Sequence, residues 1–211
     1  LRWSRDSDSS AAWIPGRVQF SGEDQMVWAA SGAFGARLEA YSAWGEGQQV
    51  PMWSAEDLAP DSLVCDVASS SEAAGLFALI RTPGLGNAPD ALKLSCYSAP
   101  SLSAGQSAGP LWSVAAPAGM LGAALVACDA YAERACFASS DAQSLQVRLR
   151  WHEGVNGSIL AETTISVGEI DRLVMSADGA LTLGAAGDRI WIWDSLGALV
   201  HYEKLGSELR F

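Results

Sequence analysis

Apolar and polar residues alternate along this chain in short stretches of period two. These are bounded by Gly, Pro, Ser, Asp and Asn, and helical periodicity is almost absent. The pattern predicts strands, and the strands come in fours. In the last group they are 173–176, a turn at Asp178-Gly179, then 180–186, 189–193 and 198–203. The third of these alternates cleanly, with Ile190 and Ile192 on one face and Trp191 and Trp193 on the other. The group before it reads 124–128, 135–139, 145–151 and 158–165. Its last two strands are joined through Asn156-Gly157, a dipeptide suited to a tight turn that needs positive φ. Earlier still come 63–66, 76–81, 91–97 and 110–114, interrupted by two inserts, 82–90 and 98–109, rich in Gly, Pro, Ser and Ala. The first group is 17–21, 25–30, 37–42 and 49–54.

The groups also repeat. Trp-Ser closes an apolar run at Trp3-Ser4, Trp53-Ser54 and Trp112-Ser113, and new apolar runs open after each, at Arg17-Val18, Leu63-Val64 and Leu125-Val126. A fourth start, at Leu173-Val174, lacks the tryptophan before it. Self-similarity at a period of about 50 residues, built from strands, signals a stacked or circular repeat architecture. Four-stranded antiparallel units at this spacing are the blades of a β-propeller, which stack radially and leave only short edges. The expected fold is therefore all-β: a β-propeller or propeller segment of about four four-stranded antiparallel blades, forming one domain. Residues 1–16 are the end of a preceding blade plus linker; 17–56, 62–116 (with the loop inserts), 123–166 and 171–206 are blades. Residues 208–211 read as the first strand of one more blade, so the expectation is a segment of a larger propeller. A large aromatic at a fixed blade position would fill the wedge between adjacent sheets. Trp3, Trp53, Trp112, Trp191 and Trp193 are assigned to this repeat core, where each would bury roughly 200 Å2.

Two repeat families are recognisable in these residues. The turn Ser176-Ala177-Asp178-Gly179, followed by a strand ending in Trp191-Ile192-Trp193-Asp194, resembles a WD40 repeat. The recurrent fourth-strand aromatic preceded by a glycine resembles instead the quinoprotein (PQQ-like) repeat: Gly47 before Trp53, Gly109 before Trp112 and Gly197 before Tyr202. In that family the tryptophan docks between neighbouring blades. Both resemblances imply a propeller, and most such domains are binding platforms. The PQQ-like one also implies a lesser alternative, a quinoprotein-type oxidoreductase with a calcium ion and a cofactor-stacking tryptophan. The adjacent-cysteine pair frequent in those enzymes is absent here.

Charge narrows the range of partners. Thirteen Lys and Arg against 24 Asp and Glu give a net charge of −11. That balance speaks against nucleic acid, whose phosphates need a basic footprint, and against polybasic docking on anionic lipid. No run approaches the ~18 uninterrupted apolar residues of a membrane-spanning helix. Cys65, Cys96, Cys128 and Cys136 contain no CxxC pair, which disfavours a zinc ribbon or a thioredoxin-type site. Cys128 and Cys136 flank a hairpin loop and are expected to face each other across it. They are either bridged as a disulfide or left as buried thiols.

Candidate chemistry is sparse. His152 and His201 have no serine, cysteine or carboxylate cluster beside them and read as structural or surface histidines. Asp66 and Asp129 follow first strands, with Ser176 in the corresponding place of the last repeat. They form either a carboxylate ring at the mouth of the central channel, able to hold a cation or an amine, or a set of turn caps. Asp6-Ser7-Asp8 lacks the glycine and trailing glutamate of a calcium loop. Trp44, in a glycine-rich loop, is the best candidate for an exposed contact with a protein or a sugar, the alternative being packing onto the domain itself. Asn156-Gly157-Ser158 is a glycosylation sequon inside a turn.

The expectation is a non-enzymatic protein-interaction scaffold or structural subunit of a multiprotein assembly. It would carry no cofactor, and its partners would be other protein subunits or further blades. The alternative is a small propeller lectin, which would carry its recurrent tryptophan in loops rather than in strands.

Overall fold

The computed structural model describes residues 15–20, 26–31, 37–42, 53–55, 58–59, 61–72, 75–84, 90–98, 106–116, 124–141 and 143–206. Within them every regular element is a strand. The first four-strand meander is β1 (Pro15–Phe20), β2 (Met26–Ser31), β3 (Arg37–Ser42) and β4 (Trp53–Ala55). The second is β5 (Leu63–Ser69), β6 (Gly75–Thr82), β7 (Ala91–Ser98) and, after β8 (Gln106–Ala108), β9 (Trp112–Ala115). The third is β10 (Ala124–Cys128), β11 (Arg134–Asp141), β12 (Gln146–Glu153) and β13 (Ile159–Ile165). The fourth is β14 (Arg172–Met175), β15 (Leu181–Ala186), β16 (Arg189–Asp194) and β17 (Leu199–Lys204).

Each meander is one antiparallel sheet. The four first strands lie side by side, β1 against β5, β5 against β10 and β10 against β14, so the sheets fan out from a common inner rail. This is propeller geometry, in an open arc rather than a closed ring. The insert 98–109 is not a plain loop. It supplies β8, which pairs in parallel with β4 (Trp53 with Gln106, Ala55 with Ala108) and gives the first sheet a fifth strand. A short edge strand such as β4 exposes unpaired amides and carbonyls, and an extended neighbour satisfies them.

Both faces of the middle sheets are apolar, as sheets covered on two sides must be. Leu38, Ala40 and Trp53 of the first sheet close onto Val64, Val67, Leu76, Ala78, Ile80 and Tyr97 of the second. Phe77, Leu79, Leu92, Leu94 and Cys96 on the second sheet's other face meet Ala124, Val126, Ala135 and Phe137 of the third. The third sheet then places Val147, Leu149 and Trp151 against Leu173, Trp191 and Trp193 of the fourth.

The tryptophans act in more than one way. Trp53 is fully buried and meets Tyr97 edge-on, with ring centroids 5.3 Å apart. Trp112 and Trp151 each dock on the next sheet at the turn between its third and fourth strands. Trp112 lies over Gly157 (φ +74°), where an added Cβ would come within 2.5 Å of the indole. Trp151 lies over Gly197 (φ +73°), where it would come within 3.1 Å. Only glycine offers both the left-handed backbone and the flat surface an indole can rest on. The docking group comes from a fourth strand in one case and a third strand in the other, so Trp151, which the repeat spacing does not single out, fills the place of the missing fourth-strand tryptophan. Its Nε1 donates to the Thr182 hydroxyl at 2.8 Å. Trp191 and Trp193 face back toward Trp151 rather than onward.

The expected face-to-face arrangement of Cys128 and Cys136 is corrected by the register. Cys128 pairs with Ala135 and Cys136 with Ala127, a slip of one residue. The turn 129–133 absorbs the odd residue with Ala132 at φ 57°. One residue of slip sends the two side chains to opposite faces. Cys128 packs into the joint between second and third sheets and Cys136 into the joint between third and fourth, and both are free thiols.

Candidate functional site

In an antiparallel meander the first-to-second and third-to-fourth turns fall at the same end of the sheet. At that end successive sheets are also joined through their backbones. The Glu72 amide donates to the Ala130 carbonyl (2.7 Å), and the Ala130 amide donates to that of Ala177 (3.0 Å). The two turns of the third sheet are tied by the Gly154 amide on the Glu133 carbonyl (2.7 Å). Arg134 Nη1 reaches the Gly179 carbonyl at 3.3 Å, and Trp112 Nε1 donates to the Gly154 carbonyl at 2.7 Å. The result is a continuous hydrogen-bonded rim across the second, third and fourth blades.

Side chains stiffen each turn locally. Ser176 Oγ donates to Asp178 Oδ1 (2.6 Å) and accepts from the Leu181 amide (2.9 Å), while Asp178 Oδ1 also accepts from the Ala180 amide (3.0 Å). These donors hold the Asp178 carboxyl below its ordinary range, the Ser176 hydroxyl first among them. Asp194 Oδ1 accepts from the amides of Leu196 and Ala198, both at 2.9 Å.

Asp129 belongs to this rim. It is buried, and its Oδ1 accepts from the Glu133 amide at 2.9 Å. Burial raises its pKa, with the backbone amides of Glu133 and Tyr131 pulling the other way. Asp66 does not belong to the rim, because β5 runs on to Ser69. The residues that close the first hairpins in equivalent fashion are Ser70, Asp129 and Ser176, whose amides bond to Gly75, Arg134 and Leu181 respectively. A bulge leaves Cys65 out of the ladder, and Asp66, the next residue, reaches across to the third sheet. There its Oδ2 accepts from the Val126 amide at 2.9 Å. The expected equivalence of the two positions is therefore corrected. Asp66 fastens two inner strands together, and Asp129 caps a turn.

The tips of the rim are apolar. Tyr131 is 57% exposed, Val155 78% and Leu196 77%, with the exposed carboxylates of Glu72, Glu133 and Asp178 on the same set of turns. The sequence reading passed over all three tips, although a signal was present: each is a large apolar residue at the centre of a turn, where polar residues are the rule. Trp44, Trp3 and Asp6 to Asp8 lie outside the described residues.

The two histidines have opposite surroundings. His201 is exposed, with Nε2 3.5 Å from Glu203. His152 is fully buried beside the 154–157 turn. At the opposite ends of the strands a cleft of about 650 Å3 opens between the third and fourth blades, lined by Leu145, Val167, Glu169, Asp171, Asp188 and Arg189 among others. Among the described residues no three His, Cys, Asp or Glu side chains come together as metal ligands, and no helix is long and apolar enough to cross a membrane.

No protein-family model matches the chain, and no curated protein is similar to it in sequence. Among solved structures it is similar to a chain of the crystal structure of a mitotic checkpoint complex. The TM-score is 0.56 and the sequence identity 14%, over 97% of this chain. The chain spans 60% of the length of that one. At this identity the likeness speaks for the fold alone, and it agrees with four propeller blades.

Proposed function

We propose that this chain is a non-enzymatic protein-interaction scaffold whose contact surface is the turn rim carrying Tyr131, Val155 and Leu196. The observation that carries the reading is the combination of rigidity and exposure: backbone bonds tie the turns bearing Tyr131 and Val155 to each other and to the neighbouring blades, and Trp151 packs on the turn bearing Leu196, yet all three side chains are presented to solvent. Exposed apolar groups on a pre-organised backbone favour a protein contact, because little conformational entropy is lost when a partner covers them. The WD40-like turn at Ser176–Gly179 supports the same reading, since repeats of that kind serve mainly as binding platforms. So does the complex in which the structurally similar chain was crystallised.

The experiment is a native mass measurement with matched variants. Purified from its source, the protein should run as a defined complex heavier than a single copy of its own chain, whose mass denaturing mass spectrometry gives. Tyr131→Ala, Val155→Ser and Leu196→Ser combined should release the partner. Leu145→Asn at the opposite end, where φ is +52° and asparagine is tolerated, should leave it bound. A monomer, or a complex indifferent to the rim variant, refutes the reading.

A further inference from the structure

His152 uses only half of its hydrogen-bonding capacity. Its ring is stacked on Phe137 of β11 (centroids 5.4 Å apart, planes at 15°) and on Trp112 of β9 (6.4 Å, 27°). Nδ1 lies 2.8 Å from the Gly157 carbonyl oxygen. A carbonyl can only accept, so Nδ1 carries the proton and Nε2 is a bare acceptor. That Nε2 is buried and meets no donor.

The two stacking partners differ in kind. Phe137 belongs to the same sheet as His152. Trp112 comes from the second blade and is the side chain that grips the third, through the Gly154 carbonyl and the bare surface of Gly157. Gly157 thus holds the imidazole by its carbonyl and the indole by having no side chain. Histidine, turn and tryptophan are one joint.

A second proton would turn Nε2 into a donor with no acceptor and place a charge among aromatic rings. The surrounding ionisable groups do not answer it. Arg150, on the same strand, adds positive charge. Glu162 of β13 is engaged by Arg150 and Arg148. The Glu153 carboxylate takes Asn156 Nδ2 and Ser158 Oγ. Cys96 of β7 and Cys128 of β10 are thiols that burial holds protonated up to about 12. On the β10–β11 hairpin, Asp129 is occupied by the Glu133 amide, Glu133 is exposed and Arg134 reaches toward Gly179.

We propose that the joint between the second and third blades is an acid-responsive latch, in which protonation of His152 at Nε2 releases Trp112 from the 154–157 turn. Burial keeps the closed form's affinity for this proton below that of a free histidine, whose pKa is about 6.5. The latch is therefore fully closed above that pH. The open fraction rises about tenfold for each pH unit below it, until the closed form itself takes the proton. The latch stands independently of the scaffold reading. Val155 lies in the same turn, so opening would also move one of the exposed tips.

These 211 residues contain two histidines, so proton NMR resolves the His152 imidazole. His152 should keep its neutral shift while, below about pH 6.5, a second set of resonances grows in and the Trp112 indole N–H loses protection from exchange. His152→Gln should abolish the pH dependence of Trp112 protection. A smooth titration of His152 with Trp112 still protected overturns the latch. So does loss of Trp112 protection at the same pH in wild type and variant. If the variant fails to fold, the wild-type spectra alone decide.

Discussion

A glycine under an indole is the residue-scale rule of this molecule, and it can be separated from the ordinary cost of a left-handed residue. Gly197 (φ +73°) and Gly187 (φ +55°) both need the left-handed region, but only Gly197 has Trp151 above it; a Cβ on Gly187 would meet nothing within 4 Å. Gly187→Ala should therefore lose about 1–2 kcal/mol, the conformational penalty alone. Gly197→Ala should lose clearly more, because the added carbon at 3.1 Å from Trp151 and Ala161 displaces a packed ring. Urea denaturation of the two variants measures the difference, and equal losses would remove the indole contact from the account. The sequence signalled the positive φ at Gly157, because Asn-Gly is turn chemistry, but not the tryptophan above it, which comes from another blade. The expected facing of Cys128 and Cys136 failed for a related reason: whether two cysteines face each other depends on one residue of register, and the left-handed Ala132 that shifts it carries no local signal.

At the scale of elements, period-two patterning located the strands to within a few residues, because side chains on alternate faces report directly on two-sided burial. It missed β8, since three residues of Gln, Ser and Ala show no alternation and their partner β4 lies far back in the chain. It also stopped β5 three residues short at Asp66, reading a polar side chain as a strand end when it is a cross-blade contact. Turn chemistry was the most legible part. The Ser-x-Asp-Gly motif closes the β14–β15 hairpin through the Asp178 carboxylate, whose pKa is lowered by the donors it accepts from. A lowered carboxyl pKa stabilises the fold above the unfolded value of about 3.9 and loses that contribution as pH falls through the folded value. Asp178→Ala should thus destabilise the protein at neutral pH and flatten this part of the acid limb. Asp178→Asn, which keeps an acceptor for the Ala180 amide, should destabilise it less. Identical acid limbs in wild type and Asp178→Ala would show that the hairpin closes without this carboxylate.

For the whole molecule, radial stacking makes the same strand position mean different things in different blades. On β12, Val147, Leu149 and Trp151 face onward and are buried by the fourth sheet. On β16 the onward-facing residues are Ile190 and Ile192, which are half-buried, and beside them Val174 and Leu181 are exposed. Sequence alone cannot tell these cases apart, because both strands alternate equally well; only the count of sheets in the arc distinguishes a covered face from an uncovered one. Leu149→Glu buries an unpaired charge between two sheets and should cost more than about 4 kcal/mol, enough to abolish the cooperative fold. Ile192→Glu turns its charge toward solvent and should shift the urea midpoint by no more than about 1 kcal/mol allows. Were Ile192→Glu as damaging as Leu149→Glu, the onward face of the fourth sheet would be covered in solution, and the arc would continue in whatever covers it. A small effect leaves the four sheets stable as an open arc, held by three joints that already contain Trp53, Trp112 and Trp151.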